Sequence, residues 1–277
     1  CKMEPFQYKS YRTILDTEEQ GNFMGRDILK LPNDFLLGPR LISNIAFPNK
    51  RIDMKGFTSL AGVNLKKKNI MKYSKKFYRI LNKISKADGP TFVYSNFKEI
   101  GGIKSFIQYL EYNGYTNYRD TGIGKKRFAV WSGDETSCIK EQTKHIFNTK
   151  QNMNGSLIKI ILGSPSIKEG VSLLRVQQVH IMEPYWNMSR IFQIIGRAVR
   201  FCSHKDMPVD KRLVEIYLYV STYPKEQTTD MYIWLNANKK HELISQFEKI
   251  LKEMAIDCSL FYNRNVYKKK DELECIK

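Results

Sequence analysis

The sequence predicts an α/β fold built on a largely parallel sheet. From residue 90 onward, short apolar runs alternate with helical patterns. The apolar runs are continuous rather than alternating, as strands covered on both faces require. A chain of 277 residues with 42% hydrophobic content is also long enough for one large domain, or two small ones, around a real core.

Taken in order, residues 1–18 read as a short helix. Residues 19–62 are broken by "KLPNDFLLGPR" and "AFPNK" and read as an extended connector or insertion. Residues 66–87 read as one helix with an apolar stripe of Phe77, Leu81 and Ile84. Lys68, Lys72, Lys75, Arg79, Lys83 and Lys86 recur on a separate stripe, either a solvated face or a phosphate track. The strand candidates are "TFVYS" (91–95), "RFAVWS" (127–132), "IKIILG" (158–163), "VHIME" (179–183) and "LVEIYLYV" (213–220). Helical patterns lie between them at about 99–113, 135–150 and 188–201. The tail, 228–260, adds one or two helices. Its Leu243, Phe247, Ile250, Leu251 and Met254 form an apolar seam expected to pack on the domain. The expected divisions are therefore 1–64, an extension and connector; 65–222, the α/β lobe; and 223–277, a helical extension.

Charge narrows the partner. Lys+Arg number 46 against 28 Asp+Glu, a formal +18, which favours a polyanion and most simply nucleic acid. A membrane surface is the weaker alternative, because no basic helix carries a dedicated apolar insertion face. No apolar run reaches the roughly 18 residues of a span. No signal peptide begins the chain, and Cys1 in place of Met reads as a fragment or processed piece. The five cysteines form no CxxC pair, which points to reduced thiols in a cytosol-like compartment and away from a zinc site.

In a parallel sheet, function sits at the carboxyl ends of the strands. Those ends hold Ser95 and Asn96, Trp131 to Gly133, Gly163 to Gly170, and Pro184 to Asn187. "GSPSIKEGVSL" (163–173) offers small polar groups and close backbone approach. The next strand leads through "EPYWN" into "MSRIFQIIGRAVR". Read as one helix capped by Asn187, this segment places Arg190, Gln193, Arg197 and Arg200 within about 80° of one another. That face carries guanidiniums and an amide but no carboxylate, a set suited to phosphate oxygens. Gly196, which costs roughly 1 kcal/mol inside a helix, marks a close backbone approach. The phosphate loop G-x-x-x-x-G-K-[ST] is missing. "WSGDET" (131–136) reads as a turn in which Asp134 caps the following helix, not as a magnesium site.

These residues resemble a family. "QIIGRAVR" matches the Q-x-x-G-R-x-x-R of motif six in superfamily 2 helicases and translocases, "GSPSIKEGVSL" is similar to motif five, and "TFVYSNF" to motif four. The opening "KMEPFQYKSY" is similar to the start of the second lobe in Swi2/Snf2-like enzymes. "GRAVRFCSH" and "LKEMAIDCSLFYN" resemble the branch found in large cytoplasmic DNA viruses. That branch includes the poxvirus early transcription factor small subunit, nucleoside triphosphatase I, and asfarvirus and mimivirus relatives. The likeness covers roughly 65–262.

The resemblance implies a RecA-like lobe, the second of two, with ATP and Mg2+ bound mainly by a first lobe that this chain lacks. Arg197 and Arg200 would reach the γ-phosphate, with Gln193 beside them. Glu169 and Gly170 would couple nucleotide to nucleic acid, and Ser95, Asn96, Ser164 and Lys168 would lie near the nucleic-acid backbone. The implied partners are DNA (or RNA), the first lobe, and another transcription factor subunit or the viral RNA polymerase. The implied location is the host cytoplasm, in the viral factory, and the virion. The competing class is a non-catalytic nucleic-acid-binding or scaffolding module that uses the arginines only as a basic patch.

Overall fold

Six parallel strands form one sheet in the order β2-β3-β4-β1-β5-β6. They are β1 (Thr91–Tyr94), β2 (Thr116–Asn117), β3 (Arg127–Trp131), β4 (Ile160–Gly163), β5 (Gln178–Ile181) and β6 (Glu215–Leu218). The computed structural model describes residues 1–22, 36–168, 171–262 and 275. The three central strands, β4, β1 and β5, are buried along their whole length, as their continuous apolar runs predict.

Successive side chains of β1 point to opposite faces and so build two cores. Val93 joins Phe77, Ile80, Leu81 and Ile84 of α5 (Lys75–Ile84) and Phe106, Tyr109 and Leu110 of α6 (Ile103–Tyr112). Phe92 and Tyr94 join Phe147 of α8 (Ser137–Asn148) and Ile191 and Ile194 of α9 (Met188–Ile195). The remaining helices are α1 (Pro5–Asn22), α2 (Leu37–Asn44), α3 (Met54–Ser59), α4 (Lys67–Tyr73), α7 (Tyr118–Thr121) and α10 (Thr229–Glu253). Met3, Tyr11, Ile42 and Ala46 form a third, smaller apolar cluster between α1 and α2.

Buried polar groups tie the ends of the chain to the sheet. Lys76 Nζ donates to Asn44 Oδ1 at 2.9 Å and to Asp230 Oδ2 at 2.6 Å, and that lysine–aspartate pair is fully enclosed. Asp230 also accepts from the Ser221 N–H at 2.8 Å. Tyr11 shares a 2.8 Å hydrogen bond with Thr229. No helix among the described residues is long and apolar enough to cross a membrane.

The structure corrects several expectations. The single helix over 66–87 is two, α4 and α5, divided at Ser74. The Ser74 hydroxyl donates to the Asn44 carbonyl at 2.5 Å and accepts from the Phe77 N–H, so the side chain begins a new helix instead of continuing the old one. Residues 37–62 are not an extended connector. They form α2 and α3 and bury Ile42, Ile45, Phe47 and Leu60, because the apolar residues between the Pro/Gly breaks have a core to join.

The seam of Leu243, Phe247, Ile250, Leu251 and Met254 does not pack on the domain. Only the first part of α10 does, through Ile233 and Ala237, and every residue of the seam is at least half exposed. Cys258 and Cys275 are joined by a disulfide rather than held as thiols, since the tail brings the two sulfurs together across 17 residues. Thr136, not Asp134, caps α8; Asp134 instead pairs with Lys98.

Candidate functional site

The sheet order places the loops after β4, β1 and β5 side by side at the carboxyl end. At their centre is Glu183, just beyond β5 and 1% exposed. Its carboxylate accepts from the Ser95 hydroxyl at 3.1 and 3.0 Å, from Asn96 Nδ2 at 3.1 Å and from Asn44 Nδ2 at 3.0 Å. The Asn96 N–H donates to it as well. A buried charge needs such a set of donors to offset its desolvation.

Asn96 in turn accepts from the Tyr94 hydroxyl at 3.0 Å, and Tyr94 accepts from Arg190 Nη2 at 3.3 Å. Burial pushes the Tyr94 hydroxyl up to about 12, against the opposing pull of Arg190. Arg190 also donates to the Tyr185 hydroxyl at 2.6 Å and stacks over that ring at 4.0 Å. Glu183, Tyr94 and Asn44 were not singled out from the sequence. The signal for Glu183 was present, since an acid closing the apolar strand "VHIME" must find donors on a neighbouring strand end.

This network redirects two expected contacts. Ser95 is fully buried with its hydroxyl committed to Glu183, so it braces the loop and does not face solvent. Ser164 is likewise buried, donating to the Trp131 carbonyl at 3.3 Å and lying 3.2 Å from the Ser166 hydroxyl. Both follow strands buried on two faces, and the first residue past such a strand is still under cover. Asn96 is half-buried. Lys168 closes a short 3-10 turn, Pro165–Lys168, while Glu169 and Gly170 lie outside the described residues.

The arginine segment is shorter than the sequence pattern implies. Asn187 caps α9 as expected, its side chain accepting from the Arg190 N–H at 2.9 Å. The helix then stops at Ile195, and Gly196 forms its C-cap. Arg197 and Arg200 therefore sit in the following turns, not on a continuing helical face. Gln193, on the last turn of α9, is exposed.

Other bonds aim Arg200 and anchor the backbone of Arg197. Arg200 Nε donates back to the Gly196 carbonyl at 2.9 Å, and Arg200 Nη1 donates to the Ser172 hydroxyl at 2.5 Å. The Leu173 N–H donates to the Arg197 carbonyl at 2.8 Å. The segment after β4 is thus stitched to the turn after α9. Burial, and then the charge of Arg200, pull the Arg197 guanidinium below its usual range. Arg197 and Arg200 are thus neighbours on a half-covered surface, and the Arg200 guanidinium donates to neutral oxygens. Among the described residues no group of three or more His, Cys, Asp or Glu could hold a metal ion.

Comparison with known proteins bears on the family and the fold. The chain is 49% identical over 277 residues to a protein of Acanthamoeba polyphaga mimivirus named "Putative ATP-dependent RNA helicase R563", covering 99% of this chain and 48% of that protein. It is 27% identical over 208 residues to the "Early transcription factor large subunit homolog" of African swine fever virus, covering 67% of this chain and 19% of that protein. The chain spans about half the length, or less, of these curated relatives. Among solved structures, the C-terminal part of the Fun30 ATPase domain superposes with a TM-score of 0.55 at 13% identity, over 86% of each chain. At that identity the likeness speaks to the fold, which is that of a RecA-like lobe. Residues 74–202 match the model of the helicase conserved C-terminal domain, and the chain carries that domain.

Proposed function

We propose that this chain is the second lobe of a superfamily 2 ATPase that moves on DNA during early transcription of a large DNA virus. In this reading a first lobe of the same polypeptide holds most of the ATP and the Mg2+. The partial coverage of the relatives, 48% in the mimivirus protein, is consistent with a second lobe of comparable size.

The observation that carries the reading is the clasp of Ser172 and Leu173 on Arg200 and Arg197. It holds the Arg200 guanidinium and the Arg197 backbone in place, with no neutralising carboxylate on Arg200 among the described residues. The residues present fit the outer phosphates of a nucleotide, and the described residues include no group that could hold a metal ion. ATP, when bound, supplies the phosphoryl group and its hydrolysis energy. Arg197 and Arg200 would stabilise negative charge on the phosphate oxygens, with Gln193 positioning beside them. The Glu183 network would keep the loops after β1 and β5 in register while Asn96, Lys168, Glu169 and Gly170 meet nucleic acid or relay its binding. In this reading another transcription factor subunit or the viral RNA polymerase is the protein partner, and the host cytoplasm and the virion are the location.

RNA is the second reading for the nucleic acid, favoured by the name of the mimivirus relative. The test is steady-state ATP hydrolysis by this chain alone and by the two-lobe protein, each with DNA and with RNA. Only the two-lobe protein is expected to turn over, with stimulation by DNA. Turnover by the chain alone that vanishes on Arg200→Ala would overturn the split site, and stimulation by RNA alone would select the second reading.

A further inference from the structure

Two cavities adjoin along α5, on the sheet face opposite α9. One, of 430 Å³, is bordered by Arg79, Lys83, Tyr217 and Tyr219. The other, of 330 Å³, is bordered by Lys67, Tyr109, Tyr115 and Lys126. Tyr78 and Asn82, one helical turn apart, line both, so the two form a single groove. Tyr115 and Lys126 immediately precede β2 and β3, which puts that end of the groove at the amino ends of the strands. The other end reaches Tyr219 and Val220, just past β6, but the arginines follow α9 on the opposite face of the sheet, so the groove is apart from them.

The groove's cations are held in an unusual way. Lys67 lies over the Tyr78 ring at 5.6 Å, Lys83 over Tyr217 at 4.7 Å and Lys126 over Tyr115 at 5.7 Å. Their hydrogen-bond partners are neutral: Lys83 donates to the Tyr217 hydroxyl at 3.2 Å and Lys126 to the Asn113 carbonyl at 3.3 Å. Among the described residues, Lys67, Arg79, Lys83 and Lys126 have no carboxylate within 4.0 Å. Their neighbours Lys75 and Lys76, by contrast, are paired with Glu4 and Asp230. The nearby acid, Glu215, is engaged by the Tyr217 hydroxyl at 2.7 Å.

A solvated face would scatter its lysines outward. Here three hold their ammonium groups over aromatic rings at the rim of a concave track. Rings alternating with unneutralised cations are the two components with which proteins hold an unpaired nucleic-acid strand.

We propose that this groove is a second binding surface for a single nucleic-acid strand. Phosphates take the four cations, and unpaired bases lie against Tyr78 and Tyr217 as the lysines leave those rings. The proposal rests on the nucleic-acid reading above but places the contact on the face of the sheet that α5 covers, opposite α9.

The experiment uses the full-length protein. Lys67, Arg79, Lys83 and Lys126 are all changed to Gln, and binding of a fluorescent single-stranded oligonucleotide is followed by anisotropy across a salt series. The logarithmic salt slope is expected to fall by about 2 to 3, at roughly 0.7 per phosphate contact on a single strand. ATP hydrolysis without nucleic acid is expected to persist in this variant. An unchanged slope would overturn the groove while leaving the arginine site standing. Photocrosslinking of an iodouridine oligonucleotide to the unmodified protein gives a second readout that does not depend on the variant folding. Adducts on Tyr78 or Tyr217 support the proposal, and adducts confined to other peptides overturn it. Displacement of the oligonucleotide from these sites by polyglutamate as effectively as by unlabelled oligonucleotide would make the groove a site for an acidic protein, which also overturns it.

Discussion

The Arg200 guanidinium donates to the Ser172 hydroxyl at 2.5 Å, joining the segment after β4 to the turn after α9. Because α9 ends at Ile195, nothing helical orients this arginine. Its direction comes from Ser172 and from its own bond back to the Gly196 carbonyl. The Leu173 N–H, donating to the Arg197 carbonyl at 2.8 Å, ties the same two segments together through the backbone.

In the two-lobe protein, Arg200→Ala and Arg197→Ala are each expected to lower kcat by about 10³ or more, as for an arginine facing a transferring phosphoryl group. Lysine at either position is expected to rescue poorly, since one ammonium cannot reproduce a planar fork. Ser172→Ala leaves the charge in place but unaims it, and should cost about tenfold in kcat, within the range for a hydrogen bond to a charged group. Gln193→Ala is expected to do less harm than either arginine change. Steady-state assays at saturating DNA decide it. Near-normal kcat with lost DNA affinity would make this segment a DNA-binding surface.

The exposed seam of α10 gives a prediction opposite to the one its sequence pattern invites. Phe247 is 68% exposed and Leu251 69%. Phe247→Ser and Leu251→Ser should each change the stability of this chain by no more than about 0.5 kcal/mol, the usual range for surface positions. A packed seam would cost several times more. Urea unfolding of the two variants separates the cases.

Lys76 and Asp230 meet at 2.6 Å with both side chains enclosed. Removing one partner strands the other charge, so Lys76→Met and Asp230→Leu should each destabilise by about 3–5 kcal/mol. The double variant should recover most of that loss, because two apolar groups leave no buried charge. Full additivity in a double-mutant cycle would count against the coupling.

What the sequence revealed depended on how locally each feature is determined. The four-residue strands around Phe92, Ile161 and Val179 were legible because both faces are covered, so all of their residues are buried and most are apolar. β2 spans only Thr116–Asn117, too short for any period. The break at Ser74 was hidden because the apolar stripe of Phe77 and Leu81 runs on past it, and the reason to stop is a carbonyl 30 residues away. The same holds for α9, where a helical pattern continued through Gly196 although the chain turns there to reach Leu173. The arginines were legible as residue types, but their aim was not. The seam of α10 carried a correct amphipathic signal, which states that a face is apolar and not that this chain covers it.

His180 supplies a pH prediction. It is fully buried on β5, with Nδ1 2.9 Å from the Tyr219 hydroxyl and Nε2 3.1 Å from Gln178 Oε1. A neutral ring satisfies both contacts, with Nε2–H donating to the amide oxygen and Nδ1 accepting from the tyrosine. Burial first, and then the charge of Lys83, lower its pKa from 6.5 to about 3. The folded state therefore binds this proton less readily than the unfolded chain. The stability owed to the neutral ring is complete above the unfolded value of 6.5 and is lost as pH falls from there toward 3. Within that window the slope approaches about 1.4 kcal/mol per pH unit. His180→Gln keeps a neutral hydrogen-bonding group but does not titrate. It should be less stable than the parent chain near pH 7, and the gap should narrow as the pH is lowered through 6 and 5. Urea unfolding of both proteins across that range measures the gap. Parallel pH profiles for the two would show that His180 is not held neutral by the fold.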